Sequence, residues 1–412
     1  MRVRRRIRLC PVLIGTIGLV LGMEVQAAEY TVSPGESIGA KVKTLRPGDT
    51  LLVKPGTYKE TITVDGLQGT DKDPIRIKGE KGAVIQGTGR DGFDIRGNAA
   101  WLVIEGLRIE NAQRAGILIN SSQHITIRDC VIGNNGQWAV HTRRSDYMTV
   151  ENCELFGSKN QHGLYFSSTD FPVARGNRIH DNKQAGIHMN GSKDERPKGM
   201  ISKGLLENNV IYNNGRDGAS AINMDGVEDT VIRNNLLYNN LAAGIIAYHE
   251  GGDHTGTGMK YYNNTVYFRP GEGRWAMAIN RLAEGGGSTI IKNNIFFGGK
   301  HGAFYTKNCD LKGIVSDYNI IFTHPGQNLV GDVSDGILST LKAWQEASSQ
   351  DAHTLSVNPA FADPEKADFH LRKDSPAIGA GTSVEGVETD LDGTKRPTGK
   401  AFDIGAYESQ PM

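Results

Sequence analysis

Four residues at regular intervals raise the question of chemistry: His141, Tyr165, His188 and Asn223 stand 24, 23 and 35 positions apart. Two places after each stands another polar residue, namely Arg143, Ser167, Asn190 and Asp225, and Tyr248 continues this second series. Imidazole, phenol, guanidinium and amide groups gathered in one place can move a proton beside a carboxylate. A cation or amide neutralises the carboxylate, a base removes the proton from the neighbouring carbon, and an acid protonates the departing oxygen. Arg143 with Asn190 or Asn223 suits the first task. His188 or His141 suits the base, because an imidazole pKa of about 6.5 shifts either way at modest cost. Tyr165 suits the acid, or the base if an Arg lowers its pKa. His162 and Tyr248 border the set.

These groups act together only if the chain stacks them. The apolar residues Ile117, Val140, Leu164, Ile187, Ile222, Ile245, Ile279 and Phe304 recur every 23 to 25 positions, with two intervals longer by about a dozen. Self-similarity at this period is the signature of a solenoid. Alternation along a strand puts these residues inside and the next residue outside, and neighbouring rungs lie about 4.8 Å apart. One outward column then reads Leu118, His141, Tyr165, His188, Asn223, Ile246; a second reads Asn120, Arg143, Ser167, Asn190, Asp225, Tyr248. Both long intervals, residues 191–204 and the stretch after Tyr248, predict loops that wall a groove beside this patch. Asn177, Asn209, Asn235, Asn264, Asn294 and Asn319 form a further column of stacked amides at a tight turn, with Cys130 and Cys153 at its start.

Composition agrees with a turn-rich β architecture: 52 Gly, 38% apolar residues, and 46 basic against 46 acidic side chains. A neutral balance argues against nucleic acid as a partner. Arg2, Arg4, Arg5, Arg6 and Arg8 precede the apolar run Pro11 to Met23 and the small residues Val25 and Ala27, which predicts a signal peptide over residues 1–27 and a secreted or periplasmic product. No later segment is apolar enough to span a membrane. Cys130, Cys153 and Cys309 are too few for a disulfide scaffold; a single bridge between Cys130 and Cys153 is geometrically open. Residues 28–320 are expected to form the solenoid with an N-terminal cap over 28–70. Residues 321–412, with a short helix from Leu338 to Ala347, are expected to form a C-terminal extension over the last coil.

The opening motifs Leu45-Arg46-Pro47-Gly48-Asp49-Thr50, Pro55-Gly56-Thr57-Tyr58 and Pro74-Ile75-Arg76-Ile77-Lys78-Gly79 resemble those of secreted polysaccharide-active proteins. So do the terminal Asp390-Leu391-Asp392-Gly393, Arg396-Pro397 and Asp403-Ile404-Gly405-Ala406-Tyr407-Glu408. With the repeat, the chain resembles the right-handed parallel β-helix of the chondroitinase-B and alginate-lyase type. The resemblance implies an all-β fold and a monomeric polysaccharide lyase acting on an acidic, uronate-containing polysaccharide or oligosaccharide by β-elimination. The carboxylate cluster of calcium-dependent members has no match, so no cofactor is expected.

Other readings stay open at this stage. Glycoside hydrolysis needs two carboxylates about 5–5.5 or 6.5–9.5 Å apart. Only Asp225 lies in the columns, while Glu250, Asp170 and Asp217 flank them. C5-epimerisation shares the proton abstraction but lacks the expected Asp-Pro-His motif. A non-catalytic carbohydrate-binding or adhesin β-helix would use the Tyr and Asn ladders alone. His249-Glu250 and Asp253-His254 have metal-ligating chemistry on a Gly-flanked loop, where a merely polar loop is the simpler reading. His124, His180 and His301 fall at turns and read as structural. Trp138 and Trp275 open their strands, to cap a turn or stack on sugar. Gly285-Gly286-Gly287 lacks the strand–loop–helix setting of a phosphate site.

Overall fold

A computed structural model describes residues 27–252, 256–280, 288–309, 311–333 and 336–410. The expected signal peptide, Asp253, His254 and the Gly285–Gly287 run lie outside these residues. Three sheets of 12, 12 and 11 strands run the length of the molecule, parallel throughout except for one antiparallel strand, Gly336–Leu338, at the end of the second. Each coil contributes one strand to each sheet. A representative coil is Ala115–Asn120, Gln123–Arg128 and Val131–Gly133. The next is Trp138–Arg143, Asp146–Glu151 and Glu154–Phe156. The registers pair Ile117 with Val140, Val140 with Leu164, Leu164 with Ile187, and Ile187 with Ile222. All these apolar residues are fully buried, so the side assignment from period-two alternation holds. The fold is the expected parallel β-helix.

The asparagine column forms as the sequence implies, and its dipeptides explain it. In Asn208-Asn209, Asn234-Asn235, Asn263-Asn264 and Asn293-Asn294 the first residue has φ between 52° and 59°. Asn tolerates this left-handed conformation better than most residues. The second residue turns its amide inward. Asn235 Oδ1 accepts from the backbone and side-chain N–H groups of Asn209 at 3.0 and 2.9 Å, while Asn235 Nδ2 donates to Leu206 O and to Asn264 Oδ1. Cys153 opens this ladder, its N–H donating to Asn177 Oδ1. Cys130 and Cys153 are buried and not bridged. A second ladder, Asn182, Asn214 and Asn240, repeats the device at another corner.

The cap boundaries differ from the expectation. Thr50–Val53, Gly56–Lys59 and Ile62–Asp65 already belong to the three sheets, so the N-terminal cap reduces to the helix Ile38–Val42. The C-terminal helix is Leu341–Ser348, capped by Thr340. Its fully buried Trp344 meets Phe304 at a ring separation of 5.3 Å and closes the last coil. The remainder of the extension runs back along the flank of the third sheet. Ile404, Ala406 and Phe369 pack on Leu236, Tyr267 and Ile295. Arg396 and Glu408 form a fully buried ion pair at 2.8 Å, with the Arg also donating to Asp403 O and Gly405 O. The terminal signature is thus a clamp on the side of the solenoid. No helix among the described residues is long and apolar enough to cross a membrane.

Replacing Asn235 by Ala orphans the buried Asn209 N–H and Leu206 carbonyl. Each unmatched group costs about 1–3 kcal/mol, so Asn235→Ala is expected to lower stability by about 2–4 kcal/mol in urea titration. The exposed Asn160→Ala serves as a near-neutral control.

Candidate active site

The central strands of the second sheet are Trp138–Arg143, Leu164–Ser167, Ile187–Asn190, Ile222–Asp225 and Ile245–Tyr248. Their registers align His141 with Tyr165, Tyr165 with His188, and His188 with Asn223. The second column aligns Arg143, Ser167, Asn190, Asp225 and Tyr248. The two outward columns are therefore assembled as expected. They are not an open, solvated face, however: His141, Asn223, Asp225 and Ser167 are each less than a tenth exposed.

Two loops account for this cover. Residues 191–204 fold back so that Glu195 accepts from Arg143 Nε at 2.6 Å and from Ser167 Oγ at 2.8 Å. Arg196 anchors the same loop on Asp146 at 2.7 Å. After Tyr248 the chain turns over Asp225, whose carboxylate accepts from the backbone N–H groups of Glu250, Gly251 and Gly252 at 2.7, 3.0 and 3.3 Å. The loops meet through glycines. Gly226 has φ +61°, and a Cβ on it would lie 2.6 Å from Gly252 Cα, which no real side chain tolerates. Asp225, expected as a catalytic acid, is thus held as a loop anchor. Glu195 was not among the sequence candidates; only the length of the insertion hinted at a wall in this place.

Within these walls the rings stack along the solenoid axis. His141 lies 4.6 Å from Tyr165 at 15°, Trp138 lies 4.4 Å from His141, and Tyr165 lies 4.9 Å from His188. Asn190 Nδ2 donates to Tyr165 Oη at 3.0 Å, and the Asn223 side-chain amide hydrogen-bonds Tyr248 Oη at 2.9 Å. His162, expected at the border as a substrate contact, sits beneath His188, with its Nε2 3.0 Å from His188 Nδ1. Four buried polar atoms here have no hydrogen-bond partner among the described residues: both ring nitrogens of His141, Trp138 Nε1 and Asn190 Oδ1. Buried polar atoms are nearly always matched, so this concentration makes the row a candidate ligand site.

Burial dominates the electrostatics. It lowers His141 to about 3, helped by the charges of Arg114 and Arg143, and lowers His188 to about 4. His162 is also pushed well down by burial. Burial raises Tyr248 to about 12. At neutral pH the site therefore presents neutral imidazoles and a neutral Tyr248 beside one half-exposed guanidinium. Its ion pair with Glu195 is of the exposed kind, which contributes little, so a ligand carboxylate can compete for Arg143. Among the described residues no group of three or more His, Cys, Asp or Glu is placed to hold a metal.

The residues read as structural behave so. His124 stacks between Trp101 and Tyr147, at 3.7 and 4.4 Å, and His180 stacks between Phe156 and Tyr212. His301 meets Trp275 edge-on, and Trp275 packs on Tyr305 at 4.3 Å, away from the central coils.

With the geometry in place, comparison gives the class. Residues 81–201 match the family described as Right handed beta helix region. A pectate lyase structure is similar over 93% of this chain and 97% of its own, with a TM-score of 0.58 and 18% identity. An alginate lyase from Paenibacillus sp. is similar over 73% and 97%, with a TM-score of 0.55 and 19% identity. A rhamnogalacturonan lyase is similar over 89% and 99%, with a TM-score of 0.51 and 15% identity. No curated protein sequence matches the chain. At such identities the shared property is the scaffold: a right-handed β-helix of the kind that polysaccharide lyases use.

A histidine whose folded pKa is depressed leaves the unfolded chain holding more protons between the two values, so stability rises with pH across that window. Acidification from pH 7 to pH 4 is expected to destabilise the protein through His141 and His188, by about 1–3 kcal/mol for each of them, and through His162 in the same direction. Urea midpoints measured across this range check it, and His141→Gln is expected to flatten the slope.

Proposed function

We propose that the protein is an exported lyase that cleaves a uronate-containing polysaccharide by β-elimination on the strands from His141 to Asp225. The observation that carries this reading is the unmatched, neutral His141 beside Tyr165 and Asn190, with Arg143 at the rim, while the neighbouring carboxylates are already engaged. Asp225 is held by three backbone N–H groups and Glu195 by Arg143 and Ser167. A hydrolase would need two carboxylates free to act, and a substrate that takes Arg143 releases only Glu195. Elimination needs none.

In this reading Arg143 exchanges Glu195 for the substrate carboxylate, and the unmatched amide oxygen of Asn190 accepts from a sugar hydroxyl. His141 takes the C5 proton. The C–H electron pair becomes the C4–C5 double bond, the C4–O bond breaks, and the departing oxygen takes its proton from Tyr165. The Tyr165 oxygen already accepts from Asn190 Nδ2, which leaves its O–H free to point into the groove. An imidazole lowered to about 3 is a weak base alone, but the bound uronate adds negative charge beside it and raises its proton affinity. Asn223 and Tyr248 line the far end, where the next sugar would lie. Removal of residues 1–27 on export belongs to the same reading. The three lyase structures support the scaffold, and the site chemistry supports the reaction.

Purified protein offered alginate, pectate, chondroitin and hyaluronan is expected to release new reducing ends together with ultraviolet absorbance from the unsaturated sugar. Reducing ends without absorbance would make it a hydrolase. Neither signal on any polymer would favour binding or epimerisation. With the cleaved polymer identified, Tyr165→Phe is expected to lower kcat by about 10²-fold or more, and Arg143→Ala to raise KM. Full turnover in both variants would move the site elsewhere.

A further inference from the structure

His162 and His188 face each other across one rung, and the surroundings leave only one arrangement of their protons. His162 Nδ1 accepts the backbone N–H of Ala185 at 3.2 Å. A neutral imidazole that accepts on one nitrogen carries its proton on the other. His162 therefore donates from Nε2 to His188 Nδ1, 3.0 Å away. By the same rule His188 carries its proton on Nε2, the nitrogen on the side of Asn223. The nearest atom there is the Asn223 amide at 3.4 Å, too far for a strong bond. With Nε2 protonated, that amide presents its oxygen to the ring, a half-turn that exchanges two atoms of the same shape. The oxygen then also accepts from Tyr248 Oη, its 2.9 Å neighbour.

We propose that His162 is a positioning residue that locks His188 as the Nε2–H tautomer, so that His188 meets the substrate as a hydrogen-bond donor and never as the base. The chain of donors runs Ala185 N–H, His162, His188, and ends on the Asn223 amide at 3.4 Å, a contact long enough for an acceptor oxygen of a bound sugar to replace it. The groups packed around the pair are Tyr165, at 4.9 Å from His188 and 5.2 Å from His162, and Asn223. No carboxylate bonds to either ring among the described residues, so nothing holds a second proton on the pair, and burial keeps both rings neutral at pH 7. The specificity consequence is that the sugar at this subsite must offer an acceptor to His188. A substrate with an amine or other obligate donor in that place is excluded. The tautomer rests on the hydrogen bonds alone; its use in catalysis rests on the lyase reading above.

Protein labelled with 15N-histidine, examined at pH 7 by two-bond proton–nitrogen correlation, reads each of its eleven histidines as an Nδ1–H or Nε2–H tautomer. His188→Gln and His162→Gln assign the two signals by their disappearance. The expected result is Nε2–H for both His162 and His188. In His162→Phe, His188 is expected to gain at least a tenfold larger Nδ1–H population, whereas the amide of His162→Gln, still able to donate, keeps it as Nε2–H. His188 carrying Nδ1–H in the unaltered protein overturns the proposal even if His162→Phe fails to fold. So does a tautomer indifferent to His162→Phe. Expected tautomers in a protein without lyase activity would instead refute the reaction and leave the lock standing.

Discussion

The solenoid depends on how buried backbone groups at its corners are matched. Along the strands each peptide bonds to the coil above and below. At the corners the chain turns too sharply for that ladder, and an unmatched buried amide costs as much as a well-made core contact contributes. The stacked asparagines solve the problem: each amide oxygen accepts from the asparagine of the preceding coil, and each amide nitrogen donates back to a carbonyl of that coil and on to the asparagine of the next. A residue in the left-handed region precedes each of them, which is why Asn-Asn pairs recur and why Gly176 stands before Asn177.

The functional face inherits its order from those corners. Because every coil enters the second sheet in the same register, residues spaced one period apart become neighbours, and a column of side chains becomes a surface with fixed spacing. The lengthened intervals add cover without disturbing this order, since they leave from the strand ends. Gly191, Gly226 and Gly252 allow the covering segments to stack as closely as the strands do. The result is a row of buried neutral rings, with the half-exposed Arg143 at its edge and the Asp225 carboxylate engaged by backbone N–H groups. Such a row suits an anionic substrate that brings its own charge and proton-transfer groups that must stay uncharged until it arrives.

The architecture and the two outward columns were legible in the sequence because both follow from periodicity: Ile117, Val140, Leu164 and Ile187 mark the inside, and the residues after them mark the outside. The corner asparagines were legible for the same reason. What periodicity does not encode is the path of a non-repeating segment. Glu195 lies in such a segment, and nothing in its neighbours announces that it reaches Arg143. The engagement of Asp225 by residues 250–252 is equally a matter of loop path, as is the burial of a face expected to be solvated. His162 precedes its strand and stands outside both columns, so its place beneath His188 needed coordinates. The second asparagine ladder is less legible because Ser158, whose backbone N–H donates to Asn182 Oδ1, stands where an asparagine would extend it. The tail from Leu355 onward, read as a lid on the last coil, binds the flank because Ile404 and Phe369 find an apolar strip on the third sheet.

The ladders also bear on how such a chain can change length. A shift of one residue anywhere in a coil would throw the corner amides of every later coil out of line, whereas the gain or loss of a whole coil would leave them aligned. Heritable variation in this scaffold should therefore come in quanta of one turn, or as segments looped out where a strand ends. On the proposed function, the coils from His141 to Asp225 are exempt from the first kind of change, since deleting any one of them would remove a member of the proposed row and bring its neighbours one rung closer. The molecule is free to grow at its ends and to elaborate its rim, but its middle is counted.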